Sequence, residues 1–273
     1  MIDLVHDESR WQRTRDALRL VCPHARATRF TDAHLGRNAI HLHRLFLVPG
    51  DTAPGSRVID ERTRREWPLT PGTATLLPAR RLYRFDFTAG FHLVGFHFRL
   101  EGPGGVDVLD GVIEITQRDD ALAAAEAACA AVDLATPGAW LTVEGVLRQQ
   151  LAHTLTVSWQ AIEQASATAR RWKATLARLD SAAPGAADIT RLAQAAGLSR
   201  QHFTRSFRAD FGCTPRDWHQ RQLARRVVDR LLADATPLDE VAEEFGFNDP
   251  FALSRFVLRA TGLRPSHWRR TLA

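Results

Sequence analysis

Two textures of hydrophobic and polar residues divide this chain. From about residue 26 to 116 the apolar residues come in short runs, NAIHLHRLFLV, SRVIDE, GTATLLP, RLYRFDF, FHLVGFHFRL and GVIEI, separated by PGDTAPGS, TPG, TAG and EGPGG. Short runs bounded by turn residues predict strands, and several at this spacing predict a small barrel or sandwich. Beyond residue 117 the period lengthens to three or four. Residues 118–134 and 139–164 read as helices separated by Thr136-Pro137-Gly138. In the second, Trp140, Val143, Leu147, Leu151 and Leu155 form one apolar stripe, suited to core packing first and to an oligomer seam second. Residues 7–21, with Trp11, Ala17, Leu18 and Val21, predict a short amphipathic helix. Ala169–Leu179 reads as the first helix of a C-terminal region in which 181–188 is a loop.

That region repeats itself. AGLSRQHFTRSFRADFGCTPRDW (196–218) is echoed by FGFNDPFALSRFVLRATGLRPSHW (245–268). Arg205, Gly212, Pro215 and Trp218 recur fifty positions on as Arg255, Gly262, Pro265 and Trp268, and Phe203 and Phe207 as Leu253 and Val257. Upstream, Ile189, Leu192, Ala193 and Gly197 return forty-nine positions on as Leu238, Val241, Ala242 and Gly246. The second copy has therefore gained one residue, within Asn248-Asp249-Pro250, where Asp249 can cap a helix that Pro250 begins.

Each copy predicts a helix, a tight turn and a second helix. In the first, Gly197 tolerates positive φ, Ser199 is an N-cap and a helix starts at Arg200. Phe203, Ser206 and Phe207 lie on one side of it, leaving Gln201, Thr204, Arg205 and Arg208 on the other. Such a face can bond to base edges and phosphate oxygens, and a helix fits the major groove of DNA. Between the copies, Asp217–Leu232 reads as a connecting helix of about sixteen to eighteen residues, roughly 24–27 Å long. With the widths of the flanking units added, the two outer helices sit about one DNA turn apart, roughly 34 Å, so a single chain can cover two half-sites.

Charge agrees with that division. Residues 166–273 hold 18 of the 36 Lys and Arg but 11 of the 31 Asp and Glu, a balance of +7 against −2 for the remainder. Arginine supplies nearly all of it, Lys173 being the only lysine, and arginine suits phosphates and guanine edges. Cys22, Cys129 and Cys213 are too scattered for a disulfide framework or a zinc site. The N-terminus lacks the apolar core of a signal peptide and no eighteen apolar residues run together, so the expectation is a bacterial-style cytoplasmic protein with no membrane partner.

Residues 168–271 resemble the DNA-binding domain of AraC/XylS-type transcription regulators. The resemblance rests on ITRLAQAAGLS, LSRQHFTRSFR, FGCTPRDW, the connecting stretch with Arg221, Ala224 and Leu232, and VAEEFGFNDPFALSRFVLRATGLRPSHWRR. It implies two helix-turn-helix units joined by a rigid helix, with the first reading helix the more specific. It makes Ser199, Arg200, Gln201, Thr204, Arg205, Arg208, Phe251, Ser254, Arg255 and Arg259 the DNA-binding candidates, with Arg208 and Arg259 assigned to phosphate. The second reading helix departs from the family: Val257 and Leu258 stand where Phe and Lys are usual, and Phe251 and Ala252 where small or polar residues are. It is accordingly expected to read less sequence, through Arg255 and Phe251 against a thymine methyl, and otherwise to anchor to the backbone.

In this family a cupin-like barrel that binds an effector and assists dimerisation often precedes the reader, and the strand-rich block followed by two helices resembles that order. TPGTATLLPARRLYRF resembles its turn and strand, and FHLVGFHFRL the strand beyond. His41, His43, Trp67, Tyr83, His92 and His97 are the effector-binding candidates, and Arg80 and Arg81 a second choice for an anionic ligand. His41 and His43 would share a strand face, as in catalytic cupins, but Phe46 and Leu47 occupy the places of the carboxylate those enzymes need, and His92 and His97 point to opposite faces. The expectation is a non-enzymatic α+β protein without a cofactor. It comprises a cupin-like domain (1–117), a helical dimerisation or linker region (118–165) and a double helix-turn-helix domain (166–273). Its partners are promoter DNA, a small-molecule effector, RNA polymerase and a second copy of itself. The alternatives are a cupin-type metal-dependent oxygenase with a helical appendage, and a DNA-binding protein whose barrel only dimerises.

Overall fold

The computed structural model describes residues 12–270. The chain divides into two compact units, one made of residues 20–100 and 109–161, the other chiefly of residues 101–108 and 162–270.

The first unit is a sandwich of two antiparallel sheets rather than a closed barrel. Strands β1 (Arg19–Arg29), β8 (His92–Glu101), β3 (His43–Leu47), β6 (Ala74–Leu77) and β9 (Thr116–Arg118) form one sheet in that order. Strands β2 (His34–Asn38), β7 (Tyr83–Phe87), β4 (Arg57–Asp60) and β5 (Glu66–Pro68) form the other. Strand β3 explains why its sequence reads as a continuous apolar run. Alternate residues of a strand face opposite ways. Leu45 and Leu47 join Val94, Phe96 and Phe98 of β8 under two helices, while Phe46 and Val48 meet Tyr83, Phe85 and Phe87 of the other sheet. Both faces of the five-stranded sheet are therefore covered.

The covering helices are α1 (Leu122–Ala131) and α2 (Pro137–Thr154). Thr136, read as a breaker, is the N-cap of α2: its side chain accepts from Ala139 N, and Pro137 fills the first helical position. Of the predicted stripe, Val146, Leu147 and Leu151 are buried in the sandwich core and Val143 and Leu155 pack against it, whereas Trp140 is 58 % exposed.

Three sequence expectations fail here. Of the helix expected over 7–21, residues 7–11 lie outside the described residues, 12–16 are helical, and strand β1 begins at Arg19. GVIEI is irregular, and the short strand β9 follows it at Thr116. The helix expected over 139–164 stops at Thr154, whose carbonyl accepts from Thr116 Oγ1 at 3.0 Å, and a new helix begins at Trp159 after Ser158 Oγ takes Ala161 N–H. A side-chain cap thus does what periodicity did not disclose.

The second unit is helical: α3 (Trp159–Arg171), α4 (Lys173–Asp180), α5 (Ile189–Ala195), α6 (Arg200–Phe211), α7 (Pro215–Ala233), α8 (Leu238–Glu244), α9 (Pro250–Thr261) and α10 (Pro265–Arg270). The repeat is structural. Gly212 and Gly262 end α6 and α9 with φ of 67° and 76°, a left-handed conformation open to glycine without penalty. Phe203 and Phe207 in one copy, Leu253 and Val257 in the other, are fully buried. Around the first pair, Trp172 packs edge-on at 5.4 and 5.0 Å between ring centres, and its indole N–H donates to Asp210.

Candidate nucleic-acid interface

The sequence places the two reading helices by their caps. Ser199 accepts from His202 N at 3.3 Å and starts α6; Asp249 accepts from Ala252 N at 2.6 Å and starts α9. Each cap fixes the helical phase, and the buried pair of each helix fixes which side faces out. In α6 the outward residues are Arg200, Gln201, Arg205 and Arg208, all exposed, with Thr204 half-buried. In α9 they are Phe251, Arg255 and Arg259, exposed, with Ser254 half-buried. Phe251 stands 73 % exposed and Leu258 37 %, so both are available to a partner rather than spent in the core.

The helix α7 between them runs 19 residues, about 28 Å at 1.5 Å per residue. It starts two residues earlier than its apolar pattern predicted, because Thr214 and Asp217 form a reciprocal capping box around Pro215. Two hollows flank its N-terminal half. One, of about 410 Å³, is lined by Arg200 and Thr204 of α6 and by Arg216, His219 and Gln220 of α7. The other, of about 310 Å³, is lined by Arg255 and Arg259 of α9 together with His219, Gln220 and Leu223. Both include Gly185, His219 and Gln220, so the two reading helices border adjoining concavities on one side of α7.

Not every basic residue serves that face. Arg225 pairs with Glu101 at 3.3 Å and donates to Gly105 O, Arg226 pairs with Asp180, and Arg230 bridges Asp234 and Glu244. These three brace the helical unit, leaving Arg216 and Arg221 exposed on the same helix. Sequence reasoning missed His202, which is exposed on α6 with Nδ1 3.2 Å from an Arg205 nitrogen, and Arg216 and Gln220, which line the hollows. The outward phase of α6 held the signal for His202; nothing in the apolar pattern of α7 marked the other two.

The effector candidates do not converge. His41 lies in a bend before β3 rather than on it, correcting the strand pair expected with His43. His43 is fully buried and its Nδ1 accepts from Ala79 N at 2.9 Å. His92 lies on the adjacent strand, six residues along from Phe98, the register partner of His43, roughly 20 Å away. His97 packs against His24 at 5.0 Å, and Trp67 carries Arg65 over its ring at the sheet edge. Tyr83 is buried between the sheets, where its hydroxyl donates to Pro78 O and burial pushes its pKa upward. Arg80 and Arg81 are held by Asp110 and Glu114. Among the described residues, no group of three or more His, Cys, Asp or Glu side chains is placed to hold a metal ion. None of their helices is long and apolar enough to cross a membrane.

One buried charge was not foreseen. Arg44 on β3 is 3 % exposed and points between the sheets, its guanidinium 5.0 Å from the Phe85 ring centre and 5.7 Å from that of Tyr83, with Asn38 accepting from it. Desolvation brings its pKa down to about 10. Among the described residues no carboxylate pairs with it.

A pair of helix-turn-helix units on one stiff helix, each turning arginine outward, defines a DNA-binding protein. Residues 192–271 match a family model described as a helix-turn-helix domain, of the AraC type. No curated protein matches the chain by sequence. Among solved structures it is similar to ToxT from Vibrio cholerae, with 10 % identity, 94 % of this chain and 99 % of that one covered, and a TM-score of 0.54. ToxT from Vibrio cholerae O395 bound to (E)-4-(8-methylnaphthalen-1-yl)but-3-enoic acid matches at 9 % identity, covering 94 % and 100 %, TM-score 0.54. Unsaturated fatty acid bound ToxT from strain SCE256 matches at 9 %, covering 95 % and 97 %, TM-score 0.53. At such identity the likeness is one of fold, and it extends over both units.

Proposed function

We propose that this protein regulates transcription by laying α6 and α9 in successive major grooves of promoter DNA, under the control of a small anionic effector held in the sandwich, and that it carries out no catalysis of its own. The single observation that carries the DNA reading is the pair of adjoining hollows sharing His219 and Gln220, one bordered by Arg200 and Thr204 and the other by Arg255 and Arg259. A duplex lying along that side puts its backbone ridge over Gln220 and Arg216 and a groove over each helix. Arg200, Gln201, Thr204 and Arg205 then reach base edges, while Arg208 and Arg259 take phosphate. RNA polymerase and a second copy of the chain are further partners in this reading, the latter through the side of α2 that carries Trp140.

The effector's class follows from Arg44. A buried guanidinium without a counter-ion is costly, and an acidic ligand head group relieves that cost. ToxT structures hold carboxylic acids, which fits a hydrophobic acid seated against Phe85 and Tyr83 with its carboxylate on Arg44.

Selection of bound fragments from genomic DNA by the full chain tests the first part. Recovered sites should share two half-sites about one turn, roughly 34 Å, apart; fragments with no common element overturn the reading. For the second, an unsaturated fatty acid should raise the thermal midpoint of the wild-type chain and leave that of Arg44→Met unchanged. Equal responses discard Arg44 as the anchor.

A further inference from the structure

The sandwich unit contains a thiol, an imidazole and a carboxylate in line. Cys129, near the end of α1, has its sulfur 3.5 Å from His92 Nε2, and the other ring nitrogen, Nδ1, is 2.8 Å from Asp51 Oδ1. The three come from separate elements, α1, β8 and the turn after β3, so no local sequence motif brings them together. Two further contacts hold the arrangement. Thr52 donates to His92 O at 3.1 Å and accepts from His92 N at 2.7 Å, tying the backbone that carries the imidazole to the turn that carries Asp51. Arg29 on β1 donates to the other oxygen of Asp51, and the same nitrogen lies 3.0 Å from His92 Nδ1.

The tautomer follows from the partners. The His92 and Arg29 bonds hold Asp51 below the usual carboxylate range, so it is ionised near neutral pH and can only accept. In the tautomer that donates from Nδ1 to this carboxylate, Nε2 presents its lone pair to the sulfur. In that tautomer the Cys129 S–H donates to it.

We infer that Cys129 is a covalent modification site for soft electrophiles of the α,β-unsaturated carbonyl class, with His92 as its general base and Asp51 as the positioning residue. As sulfur bonds to the β-carbon, its proton passes to His92 Nε2. The π pair of the C=C bond moves to the α-carbon and carbonyl, and the proton is returned from Nε2 to the α-carbon. One S–C and one C–H bond form, one S–H and one C–C π bond break, and no oxidant is needed. The base matters because the thiol does not ionise readily. Burial raises its pKa, Asp51 and Asp133 raise it further, and only Arg29 opposes them. A thiolate at rest is disfavoured, and a neighbouring acceptor for the proton is what gives this sulfur its reactivity.

The chain carries its own control. Cys22 is half-buried like Cys129, but it donates to a backbone carbonyl, His24 O at 3.3 Å, and burial pushes its pKa up to about 12. Cys213 is buried.

The full chain is treated with limiting N-ethylmaleimide near neutral pH and labelling of each cysteine is followed by peptide mass spectrometry. Cys129 should react at least about tenfold faster than Cys22, and His92→Asn should remove that advantage while leaving the Cys22 rate unchanged. Asp51→Asn should give a smaller drop in the same direction. Asp51→Asn leaves the imidazole in place and decides the matter even if His92→Asn does not fold. Cys129 reacting no faster than Cys22, or a Cys129 rate indifferent to His92→Asn or to Asp51→Asn in a folded variant, overturns the inference.

Discussion

In α6 the outward positions 201, 204, 205 and 208 hold Gln, Thr, Arg and Arg; fifty residues on, α9 holds Phe251, Ser254, Arg255 and Leu258. Inward, the two copies share a buried apolar pair, a left-handed glycine, an N-terminal proline on the next helix and a buried tryptophan. Burial and helix-end geometry keep the skeleton alike, with Leu253 and Val257 filling the places of Phe203 and Phe207, while the solvent side differs. The first helix keeps four groups able to form directional bonds. The second keeps an arginine and a serine and adds an exposed phenyl ring. We propose that discrimination belongs mainly to the first unit and grip mainly to the second.

The largest expected effect concerns the skeleton. Phe207→Ala should cost about 3–5 kcal/mol by denaturant unfolding, because its ring fills a site closed by Trp172, Phe211 and Trp218. Val257→Ala removes fewer atoms and should cost less; equal losses would mean the aromatic packing adds nothing. Next come the outward arginines. Arg205→Ala should weaken the preferred site by about 1–3 kcal/mol and relax its sequence preference. Arg255→Ala should instead weaken all sequences more evenly and lower the salt slope by about one. Reversal of those two outcomes, measured by fluorescence anisotropy across a salt series, would exchange the roles of the units. Ser199→Ala and Asp249→Ala should each lose about 1 kcal/mol of stability, alike in both copies because the cap is part of the shared frame.

The smallest effect is a pH dependence confined to the second unit's approach. Thr236 and Arg230 hold the Asp234 carboxyl down at about 2. Its contribution is therefore complete above the unfolded value near 3.8 and disappears as the pH falls through about 2. The difference in stability between wild type and Asp234→Asn should vanish over that acid window and be steady above it; a difference that grows on acidification would show the sign to be wrong.

The helical unit was legible in the sequence because its rules are local. Gly197, Gly212, Gly246 and Gly262 mark turns, Ser199 and Asp249 mark starts, and the i, i+4 pairs mark faces. The sandwich was less so. Strand β1, RLVCPHARATR, lies half-buried along nearly its whole length at a sheet edge, and so shows no alternation to read. Arg44 belongs to a run that looks like ordinary core, and only the second sheet, some forty residues later in the chain, reveals what its guanidinium faces. The union of Asp51, His92 and Cys129 was likewise out of reach, because it depends on how a helix lies across a sheet.

The stiff helix α7 makes the two prongs unequal ends of one object. Because they are covalently ordered and chemically different, a bound chain has a polarity on the promoter. An operator turned end for end would display the opposite flank of the protein to the transcription start, even though every base contact was preserved.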